Sequence, residues 1–558
     1  MHLKSAACLP AAFLTVALLA ACAAGQPPGD TLPVFKAADL SRHTQVLASD
    51  EFEGRRPATA GEEKTVAYIE QAYCQAGLQP GVSGSFRQAV PFVELSTRPA
   101  DTLDIEGNGK SFSLKYGDQA VYWTKHVVNE IKLERSELVF VGYGIDEPAM
   151  NWHDYAGVDM NGKTAVILIN DPGFATNDPA LFKGRAMTYH GRWIYKFEEA
   201  ARHGAAGAII VHEEAPAAYP WEVVRNGAAR PQLVIDTPDG GASRIGVEGW
   251  VTRDAAVRLF AAAGMDYDTL KAKAAVRGFK PVPMGLTAST WVRNAVRRAS
   301  SSNVIGVLPG TKRPDEYVIM TAHWDHLGRA LAFSGDAIFN GAVDNATGTA
   351  GLLELARAFG EVRPRPERSV LFVAFTGEEY GLLGSEYFAE HPTVPLAKVA
   401  GGVNIDGMSV NGRTRDVTVV GFGASELEDE LKAVVAKQGR VLQPEPTPEK
   451  GYYYRSDHFN LARKGVPMLY AKSGIDSVAH GAKWGLDQQI DYVANRYHKP
   501  SDEFDPNWDL SGALEDLQAY FEVGLRLSRE KTFPQWYPGN EFRPIRERSL
   551  AAAAAAGH

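Results

Sequence analysis

From about Ser302 onward the chain alternates short apolar runs with stretches of helical period, and that rhythm is the strongest restriction on its fold. "NVIGVLPG", "EYVIMTAHWDHLG", "SVLFVAFTGEE", "VAGGVNIDGM" and "PMLYAKSG" begin or centre on continuous apolar residues, the pattern of parallel strands covered on both faces. Between them, "TGTAGLLELARAF" and "LEDELKAVVAKQ" have helical spacing. The predicted fold class is α/β, with a mostly parallel mixed sheet sandwiched by helices. Such sheets bind ligands beyond the carboxyl ends of their strands.

The residues at the ends of the apolar runs carry the chemistry. "YVIMTA" ends in His323-Trp324-Asp325, "VLFVAF" in Thr376-Gly377-Glu378-Glu379, and "VAGGVNI" in Asp406. Asp344, in "FNGAVDNATGTAG", directly precedes a helical run, and His498 lies in the turn-rich "NRYHKPSDEFD". Taken singly, Asp344 reads as a helix cap, His323 as a hydrogen-bonded core histidine, the glutamates as a solvated turn and His498 with Asp502 as a surface loop. Gathered at one sheet edge, the same groups would repel or be desolvated unless a cation held them. Imidazole with carboxylate suits zinc or a similar first-row metal better than calcium or magnesium. Two divalent ions are neutralised by Asp344, Glu379, Asp406 and a bridging hydroxide, the state a partly buried site favours.

Composition enters by exclusion. At 558 residues the chain is long enough for two or three domains. A formal net charge of −9 gives no electrostatic reason to expect nucleic acid as a partner. The opening "MHLKSAACLPAAFLTVALLAACAAG" has Lys4, a short apolar run and then small residues, as a secretory leader does. Its Leu19-Ala20-Ala21-Cys22 resembles a bacterial lipobox, which implies a lipid anchor at Cys22 on a periplasmic or outer-membrane protein; the other reading is an ordinary leader cut near Ala24 and secretion. With Cys8 and Cys22 in that segment, only Cys74 remains in the mature body, so no internal disulfide forms and no cysteine-zinc mechanism is available.

The ordered series "TAHWDHLG", "NGAVDNATGTAGLLELA", "FTGEEYGLLGS", "NIDGM" and "YHKPSDEFD" resembles the two-zinc aminopeptidase family that includes secreted bacterial leucyl aminopeptidases, aminopeptidase Y and glutamate carboxypeptidase. Upstream, "LASDEFEGRRPATAGEEKTVAYIEQ" is similar to the family's opening segment, and "VGYGI…DYAGVDMNGKTAVILIND…KFEEAARHGAAGAIIVHE" resembles a protease-associated domain. The resemblance implies two Zn2+ per chain, with His323 and Asp406 on one ion, Glu379 and His498 on the other and Asp344 bridging. It implies Glu378 as general base, Asp325 as the residue orienting His323, and Tyr497 as an oxyanion donor. Glu378 and Glu379 are expected on an extended segment, where neighbours point in different directions. "GYYYRSDHF" either lines the substrate cleft through Tyr453, Tyr454, Arg455, Ser456 and Asp457 or forms an aromatic surface loop.

The organisation expected is a leader at 1–22, a tether at 23–37, the N-terminal part of the peptidase domain at 38–126, a smaller inserted α/β protease-associated domain at 127–282, the zinc peptidase domain at 283–535 and a C-terminal tail at 536–558. The expected activity is removal of N-terminal residues from peptides. Rival readings are a glutamate carboxypeptidase-like enzyme, a catalytically dead binding protein of the same fold, and a single-zinc cyclase of the glutaminyl cyclase type. In the motif before Asp344 many members carry a second Asp where this chain has Val343, and a shifted register would put Asp336 in place of Asp344.

Overall fold

The computed structural model describes residues 32–330 and 335–556. The leader 1–22, with Cys8 and Cys22, and residues 23–31 of the tether lie outside the described residues. Among the described residues no helix is long and apolar enough to cross a membrane.

Four parallel strands form the centre of the main sheet. Arg313–His323 lies between Arg368–Phe375 and Val399–Ile405, and Met468–Ser473 joins beyond Val399–Ile405. Outside them, Asp416–Val419 runs antiparallel to Met468–Ser473 and carries Val441–Pro444 parallel to itself. Helices Gly348–Glu361 and Ser511–Arg529 pack on one face with Ala37–Leu47 and Ala60–Gln75, in a core that includes Phe359, Phe372, Leu469 and Phe521. Phe388 and Leu461, from helices Leu383–Glu390 and His458–Arg463, cover the other face. Sheet strands buried on both faces explain the unbroken apolar runs.

One of those runs departs from expectation. "NVIGVLPG" is expected to be parallel, but Val304–Leu308 pairs antiparallel with Val370–Ala374. An apolar run records burial on both faces, not strand direction.

Val304–Leu308 is the end of a 27-residue strand, Val282–Leu308. Its first half pairs with Thr102–Gly107 and Glu130–Phe140, and from Val292 to Val304 it pairs with Arg87–Pro99. Two long antiparallel strands therefore run from the main sheet into a second core. There Gly207–His212 lies parallel between Thr164–Leu168 and Val247–Thr252, behind the helix Trp193–Arg202 expected from "KFEEAARH". This second core includes Leu103, Leu114 and Val292, so the module takes in residues outside the expected limits of 127 and 282. The expected limits rest on changes in loop texture, which a strand shared by both cores does not show.

The expected tail at 536–558 is also revised. Trp536 and Arg546 are fully buried, and Arg543–Ala556 is helical. Trp536 Nε1 donates to the Gly465 carbonyl at 2.9 Å and Arg546 Nη2 to the Val399 carbonyl at 2.6 Å. The alanine run hides the anchors that precede it.

Candidate metal centre

The ends of the parallel strands converge. His323 ends Arg313–His323, Asp406 comes directly after Val399–Ile405, and Thr376 and Gly377 lead from Arg368–Phe375 into a tight turn, Glu378–Tyr380. That turn replaces the extended segment expected for the two glutamates. Gly377 enters it at φ 66°, and a Cβ there would stand 3.1 Å from the Phe92 ring, so a glycine is required. Asp344 sits in the irregular turn Ala342–Thr347 that opens the helix Gly348–Glu361.

His323 Nε2 is buried without a hydrogen-bond partner, and lies 3.4 Å from Asp344 Oδ1 and 3.6 Å from Asp406 Oδ1. Asp344 turns its other oxygen to His498, 3.3 Å from Nε2, and the same nitrogen is 2.9 Å from Glu379 Oε2. Hydrogen bonds between such groups are shorter than the first three distances, mostly about 2.7–3.2 Å. Two ligand atoms each about 2.0–2.1 Å from one tetrahedral ion instead stand roughly 3.3–3.5 Å apart. The donor set and the three longer distances therefore fit first-row divalent cations, with Asp344 facing both halves, while His498 and Glu379 stand at hydrogen-bond distance.

Electrostatics point the same way. Burial opposes charge on His498, but Glu379 and Asp344 outweigh it and lift its pKa to about 10. At His323 burial is likewise overcome, by Glu378, Asp344 and Asp406, and the pKa rises well above the ordinary value. Burial pushes up Glu379, yet the charges of His498 and His326 bring it down to about 2. Glu378 behaves in the opposite way: burial dominates and Asp406 and Glu379 add repulsion, so its carboxyl is held well above the usual range. A bound cation would make the same contacts in place of these protons.

The other expected residues fall in mixed places. Asp325 is fully buried, but its carboxylate is 3.8 Å from His323 Nδ1, beyond hydrogen-bond range. Its carbonyl lies nearer that nitrogen, at 3.2 Å, while the carboxylate accepts the Glu378 N–H at 3.0 Å. Asp325 thus holds the Glu378–Tyr380 turn directly and His323 through its backbone. Tyr497 is 42% exposed, stacks on the His498 ring at 3.8 Å and lines the cleft. Asp336 is exposed and bonded to the Ile338 N–H, which removes it as a substitute for Asp344. In the "RSDH" stretch Tyr453, Tyr454, Ser456 and Asp457 are buried, Arg455 is half-buried, and Tyr454 and Arg455 line the cleft.

Four supporting residues stand outside the expected set. His326 is fully buried with Nδ1 2.5 Å from Glu379 Oε1, a hydrogen-bond distance too short for two donors sharing an ion. Asn345 donates to the carbonyls of His323 and Ile405 and accepts from the N–H groups of Gly348 and Gly407, tying together three ligand-bearing loops. Asp502 accepts the N–H groups of Val343 and Asp344. Arg55, 1% exposed, donates to the carbonyls of Trp324, Leu47, Asn340 and Gly341. For His326, Asn345 and Arg55 the signals in the sequence are the second histidine of "HWDH", the Asn after Asp344 and the "EGRR" of the opening segment.

A cleft of about 1400 Å³ leads to Glu378, Glu379 and His498, walled by the main sheet's loops on one side and the second module on the other.

The sheet thus gathers imidazoles and carboxylates at the carboxyl ends of its parallel strands, beside an open cleft, as a candidate metal centre. Residues 303–522 match the model of Peptidase family M28. Aminopeptidase NAALADL1 of Mus musculus is 38% identical over 120 residues, 20% of this chain and 15% of the relative. A probable zinc metalloprotease of Pyrenophora teres f. teres is 36% identical over 118 residues, 21% of this chain and 24% of the relative. The probable glutamate carboxypeptidase LAMP1 of Arabidopsis thaliana is 30% identical over 252 residues, 42% of this chain and 33% of the relative. The chain therefore spans a third or less of the length of these curated relatives. Among solved structures, an aminopeptidase from Aneurinibacillus sp. strain AM-1 aligns with 89% of this chain and 95% of its own, at 20% identity and a TM-score of 0.49.

Proposed function

We propose that the chain is a zinc aminopeptidase that removes N-terminal residues from peptides. The observation that carries the reading is Asp344, whose two oxygens face His323 on one side and His498 on the other at cation-like spacing. His323 and Asp406 would hold one zinc, Glu379 and His498 the other, with Asp344 shared. Bound zinc supplies Lewis acidity and lowers the pKa of water towards neutrality.

The chain's own residues do the rest. Glu378 takes the proton of the attacking water and returns one to the leaving amine. Its buried setting raises its proton affinity, and the Asp325 carboxylate holds its backbone N–H at 3.0 Å. His326 holds Glu379 in place through Oε1. The Tyr497 hydroxyl, on an exposed ring that lines the cleft, would donate to the developing oxyanion.

The test is hydrolysis of aminoacyl p-nitroanilides by the protein and its Glu378→Gln variant, with zinc counted in both. The expected result is about two zincs in each protein and a loss of 10²–10⁴-fold in kcat for the variant. Zinc in both proteins without aminopeptidase activity in the parent would favour the carboxypeptidase reading, checked with N-blocked against C-blocked peptides. Absence of zinc would end the mechanism.

A further inference from the structure

A second group of metal-type donors lies outside the candidate metal centre, in the second module. The helix Trp193–Arg202 carries Glu199, and His203 caps its carboxyl end, so the two side chains stand one helical turn apart on the same face. Facing them is Asp146, in the short hairpin that pairs Asp146–Glu147 with Trp152–His153. One ligand atom from each of these three side chains lies within 4.8 Å of the other two.

A single imidazole nitrogen serves two carboxylates here. His203 Nε2 is 3.1 Å from Glu199 Oε1 and 3.5 Å from Asp146 Oδ2. One N–H makes one well-directed hydrogen bond, and the longer distance is outside that range, whereas a divalent ion accepts all three donors at once. The remaining carboxylate oxygens are engaged elsewhere: Arg202 Nε donates to Glu199 Oε2 at 2.9 Å, and His153 Nδ1 lies 2.7 Å from Asp146 Oδ1. Each carboxylate is thereby held with its other oxygen turned to His203, whose ring stacks on the buried Tyr155 ring at 4.1 Å. Burial opposes charge on Glu199, but His203 and Arg202 outweigh it and keep its pKa below the ordinary value. The carbonyl end of the helix adds a potential that favours a cation. Asp146 and His203 are only half-buried, which leaves an ion a path from solvent.

We propose that Asp146, Glu199 and His203 form a further divalent-cation site, separate from the candidate metal centre, that takes Zn2+ or a like first-row ion. Imidazole with carboxylate is a donor set of that class. The ion would pin the hairpin to the end of a helix whose Trp193, Phe197 and Glu198 line the cleft, so it braces the wall of the cleft and takes no part in the reaction.

The test counts zinc after equilibrium dialysis of the full chain against Zn2+, in a form whose candidate metal centre is disabled by His323→Ala and His498→Ala. About one zinc per chain is expected to remain, and to be lost when His203→Gln is added. Zinc should raise Tm in the first form and not in the second, because only a bound ion adds to folding stability. Asp146→Asn gives an independent reading and should weaken zinc binding by about tenfold or more, at least the loss seen for an outer partner of a metal ligand. No zinc in the form with the disabled centre means an ion-pair cluster only and overturns the proposal, as does zinc that stays after both His203→Gln and Asp146→Asn. If the disabled form fails to fold, the parent and its His203→Gln variant decide: about one zinc fewer in the variant supports the site, and an equal count overturns it. The count needs no turnover, so its outcome is independent of the peptidase reading.

Discussion

At the scale of residues, the site depends on which oxygen each histidine faces. His498 and His326 meet the same carboxylate from opposite sides, on Glu379 Oε2 and Oε1. If His326 fixes Glu379 as a hydrogen-bond partner, His326→Ala should weaken metal binding by about 10–100-fold, as loss of such a partner does elsewhere. Titration with a competing chelator checks this, and His326→Gln should recover part of the loss. The ligand-type residues are legible because each stands where an apolar run stops or a helical run begins, or in a turn-rich loop. The supporting ones are less so, since the roles of Asn345 and Asp502 lie in backbone contacts with distant loops.

At the scale of elements, the N-terminal segment clasps the centre from behind. Gly54, at φ 66°, would put a Cβ 2.5 Å from the Phe339 carbonyl, so the chain passes tightly beneath the Asp344 loop just before Arg55. Arg55 then bridges the carbonyls of Trp324 and Gly341, one beside His323 and the other three residues before Asp344. Arg55→Met leaves several buried acceptors unpaired and should destabilise the protein by about 3 kcal/mol or more, at roughly 1–3 kcal/mol for each. Urea unfolding of the metal-loaded protein measures it. The helix Ala37–Leu47 carries a pH-sensitive contact: His43 lies 2.7 Å from the Tyr68 hydroxyl and 3.7 Å from Glu354, on the helix just after Asp344. Burial, then the charges of Arg42 and Arg357, outweigh Asp39 and hold its pKa down to about 4. The folded state keeps this imidazole neutral while the unfolded chain protonates it near 6.5, so its contribution is complete above that value and is lost as the pH falls towards 4. Urea midpoints between pH 6.5 and 4.5 should therefore fall less steeply for His43→Gln than for the parent.

At the scale of the whole molecule, the candidate metal centre and the cleft join parts that are far apart in the chain. Five candidate ligands from position 323 to 498 converge, so metal binding there would add directly to folding stability. Saturating zinc at about 100 times its Kd would contribute roughly 2.7 kcal/mol. Chelation should accordingly lower Tm by several degrees, and returning zinc should restore it, as scanning calorimetry reads. The sequence alone determined the α/β alternation, the helix after Asp344 and the five candidate ligands, because burial on two faces and a chemical residue at a strand's end are local patterns. It could not show that Val304–Leu308 runs antiparallel, that one strand serves two cores, or that Trp536 anchors the C-terminal segment. Strand direction, shared edges and buried anchors depend on partners far away in the chain. Such partners meet only in assembled space, which the tertiary structure alone decides.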